Sequence, residues 1–275
     1  MSELWNDLLA CLDLQPQTTG RTDTDENAAT LFFEGPNLHL TYHRLFGGQI
    51  LGQFVRAAEL TCPNKSIKSL HSLFAREGSA DETVRYEVTR RHEGRSFATL
   101  TLIARQSTGV IATSVISMHV PEDGPDRQSE NTIGSPLGAE FRAEVELIPW
   151  EIRTDVDLNS TDTGPPEFEM WMRTPPVSQN LAPALTTYAT DLTLIGTALR
   201  PVDGLSQLGN GTTFTSAVTS HNLWFHRPFA TDSWLLVRQE SPVTADGRCF
   251  GRGDVYSENG NLVASYAQEA LLRLP

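Results

Sequence analysis

Cysteine is scarce in this chain. Only Cys11, Cys62 and Cys249 occur in 275 residues, widely spaced and without a CxxC pair. This usage argues against a disulfide framework and a zinc site, and it fits a reducing cytoplasm, so a cytoplasmic protein is expected. Long apolar runs are missing as well. No stretch reaches the ~18–20 residues that a membrane helix needs, and no membrane partner is expected. Basic residues are the third shortage, 21 against 34 acidic ones for a net charge of −13. Such a charge opposes the phosphate attraction that dominates nucleic-acid binding, which removes nucleic acid as a general partner.

No targeting signal is legible at the N-terminus. Leu4, Trp5, Leu8, Leu9 and Leu12 recur at helical spacing, but Glu3, Asp7 and Asp13 stand where a secretory signal needs positive charge and an unbroken apolar run. A short amphipathic helix packed on the body is expected instead. What is present, 39% hydrophobic residues with 20 Gly and 16 Pro, suits a globular chain with one large core or two modest ones.

Two polar stretches read as connections, Thr18 to Ala29 and Pro121 to Pro136. A third loop is expected over Asn159 to Pro166. The second lies near mid-chain and divides it into an expected N-terminal domain (1–120), a linker (121–147) and a C-terminal domain (148–275). The order of elements repeats across that divide. A helical pattern at Ile50, Leu51, Phe54, Val55 and Ala58 precedes four extended runs: Ser69 to Arg76, Thr83 to Arg91, Ser96 to Gln106 and Val110 to His119. Leu192, Ile195 and Leu199 likewise precede Thr212 to Phe225, Ser233 to Glu240, Cys249 to Tyr256 and Leu262 to Leu272. Turn signals such as Asp246-Gly247 and Asn259-Gly260 separate the runs. Each copy therefore reads as α+β, a helix whose apolar stripe is covered by an antiparallel sheet.

Several segments resemble the acyl-CoA thioesterase II family. They are His43-Arg44-Leu45-Phe46-Gly47-Gly48-Gln49, His71-Ser72-Leu73-Phe74, Gly94-Arg95-Ser96-Phe97, Leu223-Trp224-Phe225-His226-Arg227-Pro228-Phe229, Glu240-Ser241-Pro242 and Ala267-Gln268-Glu269. They occur in the family's order and span nearly the whole chain except the central linker. The resemblance implies a double hot-dog fold, two helix-wrapped antiparallel sheets joined edge to edge, and a homo-oligomer. It also implies hydrolysis of medium to long fatty acyl-CoA to free acid and CoA, with no metal, no cofactor and no covalent intermediate, by a water held by an Asp, a Thr or Ser, and a Gln.

On the family's pattern the aspartate falls on Asp191, within Tyr188-Ala189-Thr190-Asp191. A carboxylate can orient a water and take its proton; an Asp before an apolar-periodic stretch is equally a favoured helix N-cap, and the two roles are compatible. The glutamine falls on Gln268, whose amide both donates and accepts; a polar residue on the open face of an edge strand is the plainer alternative. Aligning the copies sets Ile116 opposite Gln268 and Gly48 roughly opposite Asp191, so chemistry is expected in the second copy alone. The family's Thr or Ser falls on Val218, which cannot bind water. Ser216 or Ser220 substitutes on the same strand face, or Thr219 enters through a bulge, or the water has two protein partners only. This departure motivates an alternative function, a weakly active or inactive acyl-CoA binder or regulator. A hydratase is disfavoured because no His is paired with an acidic residue at a helix start.

The thioester oxyanion is expected to meet backbone N–H groups at a helix start, near Asp191 or near Gly47 and Gly48, whose plainer role is tight packing. Residues 42–106 carry ten basic and six acidic side chains, a local +4, some of which could receive the nucleotide end of CoA. His71, His221 and His226 lack metal-ligand spacing and read as structural.

Overall fold

The computed structural model describes residues 2–17, 30–38, 40, 44–129 and 131–274. The connection expected over Thr18 to Ala29, and His43 of the first motif, lie outside the described residues. The chain divides into two units: residues 1–125 with 183–188, and residues 126–182 with 189–275. No helix among the described residues is long and apolar enough to cross a membrane.

The first unit opens with helix α1 (Glu3–Leu12), capped by the Ser2 hydroxyl, which accepts from the Trp5 N–H. Its Trp5, Leu8, Cys11 and Leu12 are buried, as the helical spacing requires. Strands β1 (Gln15–Gln17) and β2 (Thr30–Gly35) follow, then helix α2 (Gly47–Thr61). The remaining strands are β3 (Ser66–Phe74), β4 (Val84–Glu93), β5 (Phe97–Gln106) and β6 (Gly109–His119). The sheet is antiparallel, in the order β1-β2-β4-β5-β6-β3. Helix α2 buries most of its residues, because the sheet lies on one side of it and α1 and the segment Pro183–Tyr188 lie on others.

Helix α3 (Ala182–Thr190) is divided, its residues 183–188 belonging to the first unit; the second unit holds β7 (Arg142–Ala143), β8 (Glu151–Arg153), β9 (Glu167–Arg173), helix α4 (Leu194–Leu199), then β10 (Thr215–Phe225), β11 (Leu235–Ala245), β12 (Arg248–Ser257) and β13 (Leu262–Arg273). Its antiparallel order is β10-β13-β12-β11-β9-β8-β7. Asp246 and Gly247 both take positive φ, 52° and 69°, closing the β11–β12 hairpin where the Asp-Gly pair signals it. The described residues of the Pro121 to Pro136 stretch form no helix or strand, yet its second part is held down. Asp126 pairs with Arg227, Gln128 bonds the Gly260 carbonyl and the Leu262 N–H, and Ile133 packs on Trp171, Trp234, Leu236 and Tyr256.

The internal repeat is visible in the strand order. β2-β4-β5-β6-β3 and β9-β11-β12-β13-β10 are the same path, and both carry a bulge at the same place, between Ile67 and Ser69 and between Val218 and Ser220. The helices differ. A single helix beginning near Leu192 is expected from the pattern, but the chain is already helical at Ala182, breaks after Thr190 and resumes at Leu194. Thr190, Asp191 and Thr193 crowd short polar side chains into the break, and such groups compete with the helix for backbone partners.

Candidate active site

Matched positions of the two copies carry different chemistry. In the first unit Ile116 of β6 stands between Leu70 of β3 and Leu100 of β5, and all three are fully buried. The corresponding row in the second unit is Gln268 of β13 between His221 of β10 and Gly251 of β12. Gln268 and His221 are as deeply buried as their apolar counterparts. β13 is a central strand, so Gln268 lies on a covered face and not on an open edge. Gly251 leaves room for Leu194: a Cβ there would come within 2.6 Å of the Leu194 Cγ.

The polar groups of this row are linked. The Gln268 Oε1 lies 2.8 Å from the His221 Nδ1, and the His221 Nε2 lies 3.1 Å from the Thr190 hydroxyl. An amide oxygen only accepts, so the His221 Nδ1–H donates to Gln268 and the bare Nε2 accepts from Thr190. The imidazole stacks on Tyr266, 5.9 Å between centroids. Tyr266 and Thr193 donate to the Gln239 Oε1 at 2.5 and 3.2 Å, and the Gln239 Nε2 donates to Thr197 at 2.6 Å. This set tethers the broken helix to the sheet.

Asp191 is 5% exposed and caps the C-terminal end of α3. The expectation that it opens a helix is therefore corrected: Asp191 closes α3, and the next helix starts after the break, at Leu194. The sequence misplaces it because Leu192, Ile195 and Leu199 mark only the second of two helical pieces. Gln268 Nε2 is buried and has no hydrogen-bond partner among the described residues. The buried amides of the first unit contrast with it. Gln53 donates to the Cys11 and Pro36 carbonyls and accepts from Gln49 and Tyr86, while Gln49 bonds Asn37 and the Leu38 N–H. A satisfied network is packing; a buried amide with unmatched N–H groups calls for a further partner.

The candidate hydroxyls are dispersed by the bulge. Ser216 pairs with Leu272, well along β13 from Gln268, and Val218 pairs with Ala270. After the extra residue, Ser220 pairs with Glu269 and His221 with Gln268, so 216, 218 and 220 do not share a face as simple alternation predicts. Thr219 is the bulged residue, and its hydroxyl donates to the Glu269 carbonyl at 3.0 Å. His221, read from sequence as structural, takes the place beside Gln268. Extending the internal alignment from Ile116 and Gln268 to Leu70 and His221 is the signal that finds it.

Gly47 and Gly48 begin α2, in the first unit. A Cβ on Gly48 would come within 2.6 Å of both the Phe46 ring and the Tyr188 carbonyl. Of the basic side chains of residues 42–106, Arg44, Arg56, Lys65, Arg90 and Arg105 form ion pairs with Glu77, Glu59, Glu93, Glu93 and Glu87. Much of the local +4 is thus engaged within the unit.

Burial pushes the His221 imidazole down to about 4, against a smaller raising effect of its bond to Gln268. The folded state then binds fewer protons than the unfolded state between about pH 4 and 6.5, so this contribution is complete above 6.5 and is lost as pH falls through that window. The shift corresponds to about 3 kcal/mol. Between pH 7 and pH 4 the unfolding free energy from denaturant titrations is expected to fall further for the wild type than for His221→Asn, by about that amount. Equal losses in the two proteins would refute the assignment.

Comparison with known proteins identifies the setting of this cluster. Residues 39–119 match the model of the acyl-CoA thioesterase N-terminal domain, and residues 119–272 that of the acyl-CoA thioesterase C-terminal domain. The chain is 31% identical to Acyl-CoA thioesterase 2 of Haemophilus influenzae, with 99% of each chain covered. Among solved structures it is similar to the acyl-CoA thioesterase II TesB2 of Mycobacterium marinum, at 28% identity and a TM-score of 0.76 over 98% of this chain and 97% of that one. A hot-dog protein of Alicyclobacillus acidocaldarius, 16% identical with a TM-score of 0.74 and full coverage of both chains, shares the fold. With both domain models and a full-length relative in agreement, the chain belongs to the acyl-CoA thioesterase II family.

Proposed function

We propose that the protein hydrolyses acyl-CoA thioesters to free acid and CoA, using a water activated by Asp191 and held by Gln268. One observation carries the assignment to these residues. The second unit places a buried carboxylate next in sequence to Thr190, and Thr190 is joined through His221 to a buried amide with unmatched N–H groups. The water oxygen attacks the thioester carbonyl carbon while its proton passes to Asp191. Gln268 Nε2 donates to the water and to the carbonyl oxygen, where negative charge develops. Collapse of the tetrahedral intermediate breaks the C–S bond, and the proton on Asp191 returns to the departing sulfur. Each step conserves atoms and charge.

Medium to long fatty acyl chains, a cytoplasmic homo-oligomer and the double hot-dog arrangement over domains 1–120 and 148–275 complete the proposal, on the strength of the family resemblance. Thr219, the bulged residue, gives its hydroxyl to the Glu269 carbonyl, and Ser220 faces away from Gln268, which favours a water with two protein partners. Loss of one orienting hydroxyl at Val218 costs about 1–3 kcal/mol of transition-state stabilisation, which slows an enzyme without abolishing it. Thiol release across acyl-CoA substrates of increasing chain length is expected to show turnover rising from short to medium and long chains. Tight binding of the same thioesters with no thiol release would overturn the assignment in favour of an acyl-CoA binder.

A further inference from the structure

The structure assigns His221 as a positioning residue that fixes the Gln268 amide as a hydrogen-bond donor. This inference rests on the catalytic reading of Gln268 and deepens it. An unconstrained glutamine amide can rotate by 180° and present either its oxygen or its NH2 group. Here the His221 Nδ1 lies 2.8 Å from the Gln268 oxygen, so reversing the amide would set NH2 against the ring N–H. The reversal is blocked only while Nδ1 carries the proton. Thr190 completes that tautomer, since its hydroxyl lies 3.1 Å from Nε2 and donates to the bare nitrogen when Nδ1 carries the proton. Tyr266 holds the ring plane by stacking, and a Cβ at Gly253 would come within 2.6 Å of that phenol.

The consequence is a division of labour. The Gln268 oxygen is already engaged, so the amide offers only N–H groups to the reacting atoms, and Asp191 is left as the acceptor of the water's proton. The first copy supports the specificity of the arrangement. Leu70 and Ile116 fill the matched positions, so the fold itself packs without a histidine or an amide in this row.

Three measurements test the assignment on the full chain. First, long-range proton–nitrogen NMR of the His221 ring is expected to show a neutral, Nδ1-protonated imidazole at pH 7; an Nε2-protonated ring would overturn the proposal whatever the activity. Second, His221→Phe keeps the volume but removes the donor, and it is expected to lower kcat about 10–100-fold with KM nearly unchanged. His221→Asn, whose side-chain amide can donate from nearly the Nδ1 position, is expected to recover most of that loss. Third, in a Gln268→Ala background, His221→Phe is expected to have no further effect on kcat, because its action passes through the amide. An equal fall in both backgrounds would overturn positioning while leaving the catalytic reading of Gln268 intact. Full turnover by Gln268→Ala alone would overturn both. Should His221→Phe not fold, Thr190→Val takes its place: it removes the hydrogen-bond partner of Nε2 that steadies the ring and is expected to lower kcat with KM unchanged, and an unaltered kcat would count against the proposal.

Discussion

Asp191→Asn is expected to lower kcat for acyl-CoA hydrolysis by about 10³-fold, within the range for removal of a positioned general base. Asparagine keeps the size and most of the hydrogen bonding of the aspartate but cannot take a proton. The stability readout separates catalysis from capping. Asp191 is 5% exposed and lies between the C-terminal end of α3 and the start of α4 at Leu194, so the negative end of one helix and the positive end of the next both reach it. An isosteric amide there keeps the packing, so a thermal midpoint close to that of the wild type is expected. Turnover within threefold of the wild type would remove Asp191 from the mechanism. Lost turnover accompanied by a large fall in stability would assign it a structural role.

Gly48→Val is expected to destabilise the protein by about 4 kcal/mol or more, an effect seen only for the most disruptive single changes. Overpacking a core ordinarily costs about 1–3 kcal/mol, because side chains give way. At Gly48 the obstacle includes the Tyr188 carbonyl, 2.6 Å from where a Cβ would stand, and backbone held in a helix cannot swing aside. The Phe46 ring, packed edge-on against Tyr188 with centroids 4.9 Å apart, closes the other direction. Gly52, one turn along α2, is less constrained. A Cβ there would lie 3.1 Å from the Leu12 side chain and 3.3 Å from the Ala184 carbonyl, so Gly52→Ala should cost markedly less. Urea midpoints of the two variants provide the comparison, and equal midpoints would contradict the packing account. The result also bears on Gly48 as a substrate-facing glycine: its missing side chain is required by neighbouring helical backbone irrespective of any ligand.

Much of the molecule is legible in the residues. The helix of the first copy, the four long strands of each half and the Asp246-Gly247 turn follow from local periodicity and turn chemistry, signals carried within some ten residues. The short strands β1, β7 and β8 escape such reading. They are two or three residues long, too short to display a period, and they become strands by pairing with neighbours distant in sequence.

The candidate site divides in the same way. Sequence by itself determined the repeat, the asymmetry between Ile116 and Gln268, the loss of a hydroxyl at Val218 and the likeness to a thioesterase family, because these depend on residue identity and order. Tertiary structure alone decided that Asp191 sits in a break between two helices, that one extra residue at Thr219 turns His221 in place of Ser220 to the face shared by Ser216 and Gln268, and that His221 meets Gln268. The physical reason is strand register. A side chain's face alternates with every residue, so a single bulge, invisible in the sequence and set by pairing with a strand some fifty residues away, reassigns every group beyond it.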